Sequence, residues 1–228
     1  MDRGELEGRD RADPLGHLRA RFELPDGVVY LDGNSLGPLS RGVAERLDHV
    51  VRSEWREGLI RSWNEAAWVD LAERAGNRIG PLIGADPEEV VVTDSTSVDL
   101  FKILAAAAGR RPDRRVLLTE EDNFPTDRYV AEGLADLLGA DRVEVRAVPR
   151  SEVTSALDES VAALFLTHVD YRTGERHDAD ALSAAAHEVG GLAVWDLSHS
   201  AGALPVDVHR WRPGGRLHVQ VSRFGSRV

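Results

Sequence analysis

The residues best placed to do chemistry close the stretch GGLAVWDLSHSAGALPVD, residues 190–207. An apolar run from Leu192 to Trp195 breaks off at Asp196, and Ser198, His199 and Ser200 follow before a small-residue turn. That order reads as a buried strand delivering polar groups at its carboxyl end, where ligands sit in an open α/β sheet. Asp196 and His199 could also be two metal ligands, but a metal cluster needs a third and the spacing does not supply one.

Three further segments have the same character. Val90 to Thr93 is expected to be a strand, and Asp94, Ser95, Thr96 and Ser97 after it suit a helix N-cap. A helix start there would offer free N–H groups and the positive end of the dipole to a phosphate, although capping alone also accounts for these residue types. Val116 to Thr119 reads as a strand, followed by a loop with Phe124, Pro125, Thr126 and Asp127 and a helix through Tyr129, Leu134 and Leu138. VEVRAVP is a further strand, and Val161 to Thr167 is a long apolar one that ends in another polar loop. Four loops, 94–97, 122–127, 167–171 and 196–200, then converge on one sheet edge. Neither GxGxxG nor GxxxxGK[ST] occurs, so dinucleotide-fingerprint and Walker-type phosphate binding are not supported.

Strands alternating with helices require crossovers between parallel neighbours, and a parallel sheet wound on both faces is expected. Upstream, Leu15, Leu18 and Phe22 are spaced like one face of a short amphipathic helix, and Val28 to Leu31 reads as a brief strand running into the turn Asp32, Gly33, Asn34, Gly37, Pro38. Helices are expected over Ser40 to Gly58 and Trp68 to Ile83. Between them Trp63 and Trp68 could wall a pocket beside Arg61 and Asn64, or anchor a helix pair. The helix after the 94–97 turn is expected to bury Val98, Phe101, Ile103 and Leu104, and ALSAAAHEVG is a short helix with His187 near its end.

Composition narrows the function classes. A net charge of −11 argues against a nucleic-acid partner. The absence of cysteine excludes disulfides, thiolate catalysis and cysteine-ligated metals. No apolar run reaches membrane-spanning length and the first residues are charged, so a cytoplasmic protein without a membrane partner is expected. Lys102 is the only lysine; the other basic side chains are arginine or histidine.

Taken together, YLDGNSLGPL at 30–39, LIRSWNEAAWVDLAERAGNRIGPLIGA at 59–85, STSVDLFK at 95–102, DNFPTDRY at 122–129, THVDYRTG at 167–174 and WDLSHSAGALPVDVH at 195–209 resemble the kynureninase family. Those enzymes use pyridoxal 5'-phosphate (PLP) and have the aspartate aminotransferase-like fold, an α/β large domain with a mainly parallel sheet. The resemblance implies a phosphate-binding pair at Thr96 and Ser97 and a cofactor-flanking segment from Phe124 through Pro125 and Thr126 to Asp127, with Phe124 against the pyridine ring. It implies a further contact at Thr167, a carboxylate at Asp196 that keeps the pyridine nitrogen protonated, and another cofactor position at His199. The implied reaction is hydrolysis of L-kynurenine, or 3-hydroxykynurenine, to anthranilate or its 3-hydroxy form and L-alanine, by a homodimer.

The resemblance also implies a tyrosine-lysine pair after VDVH, whose lysine would carry the cofactor; RWRPGGRLHVQVSRFGSRV stands there instead and contains no lysine. The chain is therefore expected to divide into 1–40 (N-terminal helix and active-site turn), 41–210 (a PLP-binding large domain, incomplete) and 211–228 (an aberrant tail such as a frameshift would leave). Three readings stay open: a kynureninase by descent that is inactive as it stands, a non-catalytic PLP-binding remnant, and an interaction partner of a longer PLP enzyme.

Overall fold

A computed structural model of the protein describes residues 2–33 and 35–211, and the backbone of 219–221. Two compact units meet in sequence at Asp70 and Leu71.

From Leu71 onward, helix α4 (Leu71–Ile83) and helix α5 (Thr96–Arg110) precede strand β3 (Val116–Glu120), helix α6 (Pro125–Leu138), strand β4 (Glu144–Val148), strand β5 (Val161–Thr167), helix α7 (Ala179–Glu188), strand β6 (Leu192–Asp196) and strand β7 (Val219–Val221). The strands form one parallel sheet in the order β4-β3-β5-β6-β7. Every residue of β3, β5 and β6 is buried, because a parallel sheet with helices on both sides has no solvent face.

Alternation along the strands divides the core in two. Val116, Leu118, Leu164, Leu166, Ala193 and Trp195 pack with Ala179, Leu182 and Ala186 of α7. Leu117, Ala163, Phe165 and Val194 pack with Leu100, Leu104 and Ala107 of α5 and Ala131 and Leu134 of α6. Helices α5 and α6 thus cover one face and α7 the other.

Two expectations need correction here. Val90 to Thr93 is extended but pairs with no strand among the described residues; the Val92 N–H donates to the Ala72 carbonyl at 3.2 Å, so its backbone partner is α4. The approach is close enough that a Cβ on Gly76 would lie 1.8 Å from the Val90 carbonyl oxygen. The buried stripe of α5 is Leu100, Leu104 and Ala107, spaced four and three apart, while Val98 and Phe101 are exposed. Leu100→Ala is accordingly expected to cost about 2–5 kcal/mol and Phe101→Ala less than about 1 kcal/mol, as read by urea unfolding.

The first unit holds helix α1 (Arg3–Ala12), the two-residue strands β1 (Phe22–Glu23) and β2 (Leu39–Ser40), helix α2 (Val43–His49) continuing as a wider π turn to Gly58, and helix α3 (Ser62–Glu65). Strands β1 and β2 pair antiparallel. Helix α1 starts at Asp2, whose side chain accepts from the Glu5 N–H, and stops before Pro14. Leu15 and Leu18 consequently belong to no amphipathic α-helix but lie in or beside a 3₁₀ turn over Gly16–Arg21. Val28 to Leu31 is not a strand; the Tyr30 hydroxyl instead reaches the carbonyls of Asp32 and Leu36 and closes the following turn. Trp68 Nε1–H donates to Glu54 Oε2 at 2.6 Å, Arg46 and Ser62 also bond to Glu54, and Trp63 meets Trp68 edge-on at 6.5 Å. The two tryptophans anchor the α2–α3 connection. Hydrogen bonds from Arg46 and Trp68 hold the Glu54 carboxyl below its ordinary range.

Candidate functional site

The strand order reverses direction between β3 and β5: from β3 the chain goes outward to β4, then returns to β5 on the other side. Crossovers therefore diverge to opposite faces, and a crevice opens at the carboxyl ends of those two strands. Asn123 staples its floor. Its Nδ2 donates to Thr119 Oγ1 at 2.9 Å, and its Oδ1 accepts from the backbone N–H groups of Phe124 at 2.9 Å and Thr167 at 3.0 Å. Thr119 Oγ1 in turn donates to the Phe165 carbonyl at 2.8 Å. One buried amide thereby ties the end of β3, the start of α6 and the last residue of β5.

Two carboxylates lie beside that staple. Asp127, in the first turn of α6, and Asp196, the last residue of β6, are both buried. Asp196 Oδ1 accepts from the Ser198 N–H at 2.7 Å and its hydroxyl at 2.5 Å, so the turn after β6 fixes the carboxylate. Burial and, next, the negative charge of Asp196 push the Asp127 carboxyl up to about 8, against a smaller lowering from Thr167. Thr167 Oγ1 faces this pair, buried and without a hydrogen-bond partner of good geometry. A group bearing positive charge would offset the burial and the repulsion that together keep Asp127 protonated.

An aromatic cluster lines the neighbouring side. The Phe124 ring meets Tyr171 edge-on at 5.1 Å and His199 at 6.3 Å, while Tyr171 and His199 lie nearly parallel at 6.4 Å. Phe124 caps α6, with Pro125 in its first turn, where the missing N–H costs nothing. Pro125 and Thr126 themselves are exposed.

Helix α5 runs back along the sheet into β3, which puts its N-terminus at the same carboxyl edge. Ser95 caps it, and Thr96 and Ser97 are its first two residues, half-buried, with Thr96 Oγ1 buried and unbonded. Lys102 stands more than a turn further on, exposed and bonded to Asp94, whose carboxylate raises the affinity of the ammonium for its proton.

The structure thus brings Phe124 and His199 into ring contact and Asp127, Thr167 and Asp196 into one electrostatic group. Thr96 and Ser97 share the edge through the direction of α5, and Pro125 and Thr126 flank the crevice from its rim. Asn123 and Tyr171 were not singled out from the sequence. Only the first had a usable signal, an amide immediately before Phe-Pro at a strand-to-helix turn. Among the described residues Asp196 and His199 belong to no group of three metal-ligating side chains. Among the described residues, the three ligand atoms lying within 4.8 Å of one another belong to Asp86, Glu89 and His209, at the surface.

Residues 29–212 match the aminotransferase class-V family. The chain is 52% identical over 212 residues to a kynureninase of Pseudomonas fluorescens, an alignment covering 91% of this chain and 51% of that one. It is 53% identical over 213 residues to a kynureninase of Deinococcus radiodurans, with the same shares covered. The chain therefore spans about half the length of the curated relatives it matches. Among solved structures, the apo cysteine desulfurase of Thermococcus onnurineus NA1 superposes with a TM-score of 0.68 at 21% identity, over 86% of this chain and 50% of that one, which is a likeness of fold.

Proposed function

The chain belongs to the aminotransferase class-V family, and from that premise we propose that it is the cofactor-binding half of a kynureninase, an enzyme of kynurenine and tryptophan catabolism that hydrolyses L-kynurenine, or 3-hydroxykynurenine, to anthranilate or 3-hydroxyanthranilate and L-alanine. The observation that carries the reading is the buried Asp127–Asp196 pair at the sheet's switch point, with Asp127 held protonated to about 8. Such a pair is suited to a flat cofactor whose ring nitrogen carries a proton. The unbonded hydroxyl of Thr96 is a further open valence at the same edge.

PLP would supply the electron sink that lets a bond to the substrate's α-carbon ionise. The chain's own groups would bind and orient it. The first N–H groups of α5, with the hydroxyls of Thr96 and Ser97, would hold the phosphate. Asp196, fixed by Ser198, would keep the proton on the ring nitrogen while Asp127 shares the negative charge. Phe124 would lie against the ring face with His199 beside it, Pro125 and Thr126 would shape the rim, and Thr167 would offer its hydroxyl. In a homodimer the partner subunit would complete the substrate side.

One observation supports a non-catalytic reading of a polypeptide of these 228 residues, either as a PLP binder or as a partner of a longer PLP enzyme: its one amine side chain, Lys102, is ion-paired on the surface of α5. The two readings separate on one assay. With PLP present, the pure chain is expected to bind L-kynurenine, seen by calorimetry, and to release no fluorescent anthranilate. Release of anthranilate would contradict the non-catalytic reading, and failure of the PLP-loaded chain to bind L-kynurenine would overturn the substrate assignment. No helix among the described residues is long and apolar enough to cross a membrane.

A further inference from the structure

We propose that Glu120 and His177 are positioning residues that hold Tyr171 in the aromatic cluster of the pocket; the cofactor consequence rests on the PLP reading above. Glu120 ends β3, and His177 stands just before the α7 N-cap, Asp178. Both are more than nine-tenths buried, and His177 Nε2 lies 3.1 Å from Glu120 Oε1, an arrangement in which a carboxylate accepts an N–H from that nitrogen. The chain between Thr167 and His177 is a folded-back hairpin. Its base is closed by the His177 N–H donating to the His168 carbonyl at 3.0 Å, its middle by a Val169–Arg176 bridge, and its end by the Asp170 N–H donating to the Glu175 carbonyl at 2.9 Å. Tyr171 sits at the tip, against Phe124 and His199.

The base of this hairpin is thus bonded to the end of β3, whose following loop carries Phe124. The same two chain segments are tied again further out, by Arg172 to Asp122 at 3.3 Å and, across from β4, by Arg150 to Glu120 at 3.6 Å and Glu175 at 3.8 Å. The Arg172–Asp122 and Arg150–Glu175 ties are exposed and contribute little, while Arg150 reaches the other oxygen of the buried Glu120 carboxylate from outside, so the buried Glu120–His177 pair sets the register. His168, buried beside it against Trp195 and Trp211, is pushed down to about 4, first by burial and then by Arg176 and His177. It stays neutral, and Glu120 remains the acid that His177 engages.

The test needs no cofactor. The chain has three tyrosines, so ring-carbon labelling gives three assignable signals, and Tyr171→Phe identifies the relevant one. In the ligand-free wild type the Tyr171 signal should be displaced from that of exposed Tyr129 by the Phe124 ring current. His177→Phe keeps a ring beside Trp195 but no N–H; it should move the signal to the exposed position, and Glu120→Gln, which retains an acceptor, should leave it displaced. An undisplaced wild-type signal, or one unmoved by His177→Phe in a folded chain, would overturn the proposal. Amide exchange in the wild type decides independently of any variant's folding: the amides of Asp170 and His177 should be protected with β3 and β5, and exchange at the rate of an open loop would overturn it. PLP affinity should fall about tenfold in His177→Phe. If the wild type binds no PLP, the cofactor reading falls while the tyrosine signal still decides the anchor.

Discussion

Between about pH 4 and pH 8 the ligand-free protein is expected to lose stability through Asp127 alone, on the order of 4–5 kcal/mol at most. The carboxyl has an ordinary value of 3.8 in the unfolded chain and about 8 in the folded one. Below the lower value both states carry the proton and the native state keeps its full stability. Between the two, the folded state holds a proton the unfolded state has released, and stability falls by up to about 1.4 kcal/mol per pH unit. Above about 8 both are ionised and the loss is complete. Net charge of −11 adds self-repulsion in the same direction. Asp127→Asn isolates the effect: the variant should match the wild type near pH 4 and exceed it at pH 8, with Asp196→Asn flattening the same slope by removing the neighbouring charge. Parallel urea-unfolding profiles for wild type and Asp127→Asn would contradict the assignment.

Asn123→Ala is expected to cost about 3 kcal/mol and to open the crevice. The substitution leaves the N–H groups of Phe124 and Thr167 buried without their shared acceptor, each at about 1–3 kcal/mol, and frees the Thr119 hydroxyl from a donor. Because one amide joins β3, α6 and β5, the loss should be read twice: as a lowered unfolding midpoint and as a fall in PLP affinity larger than that of a core variant of equal cost, such as Leu100→Ala. Equal affinity losses in the two variants would assign Asn123 to the core and not to the site.

The parallel sheet was legible because its strands are short apolar runs ending at polar turns; Val161–Thr167 and Leu192–Asp196 stand where the run lengths put them. Val90–Thr93 shows the limit of that signal. Its β-branched run matches a strand, but its hydrogen bond goes to α4, and no local pattern encodes that tertiary choice. On α5 Leu104 is buried and Ile103 partly so, as expected, but Val98 and Phe101 are exposed, since Leu100 and Phe101 are both apolar and only packing against Leu117 and Phe165 selects the former. At the site, the carboxylate at a strand end was visible as a break in hydrophobicity. Its coupling to Asp127 was not, because the two residues are 69 apart in sequence and meet only through the order of the strands. Tyr171 and the Glu120–His177 pair were hidden for the same reason: their partners lie across a strand-to-strand gap and carry no spacing of their own. The tail beyond residue 211 lies outside the described residues except for β7, which adds parallel to β6 from Val219 to Val221.

The most direct measurement is an equilibrium titration of the 228-residue chain with PLP near neutral pH, run beside Asp196→Asn and beside pyridoxal, which lacks the phosphate. Saturable one-to-one binding by the wild type is expected, weakened about ten- to hundredfold either by removing the carboxylate or by removing the phosphate. No saturable binding, or equal affinity in all three titrations, would contradict a cofactor site built from Asp196 and the start of α5.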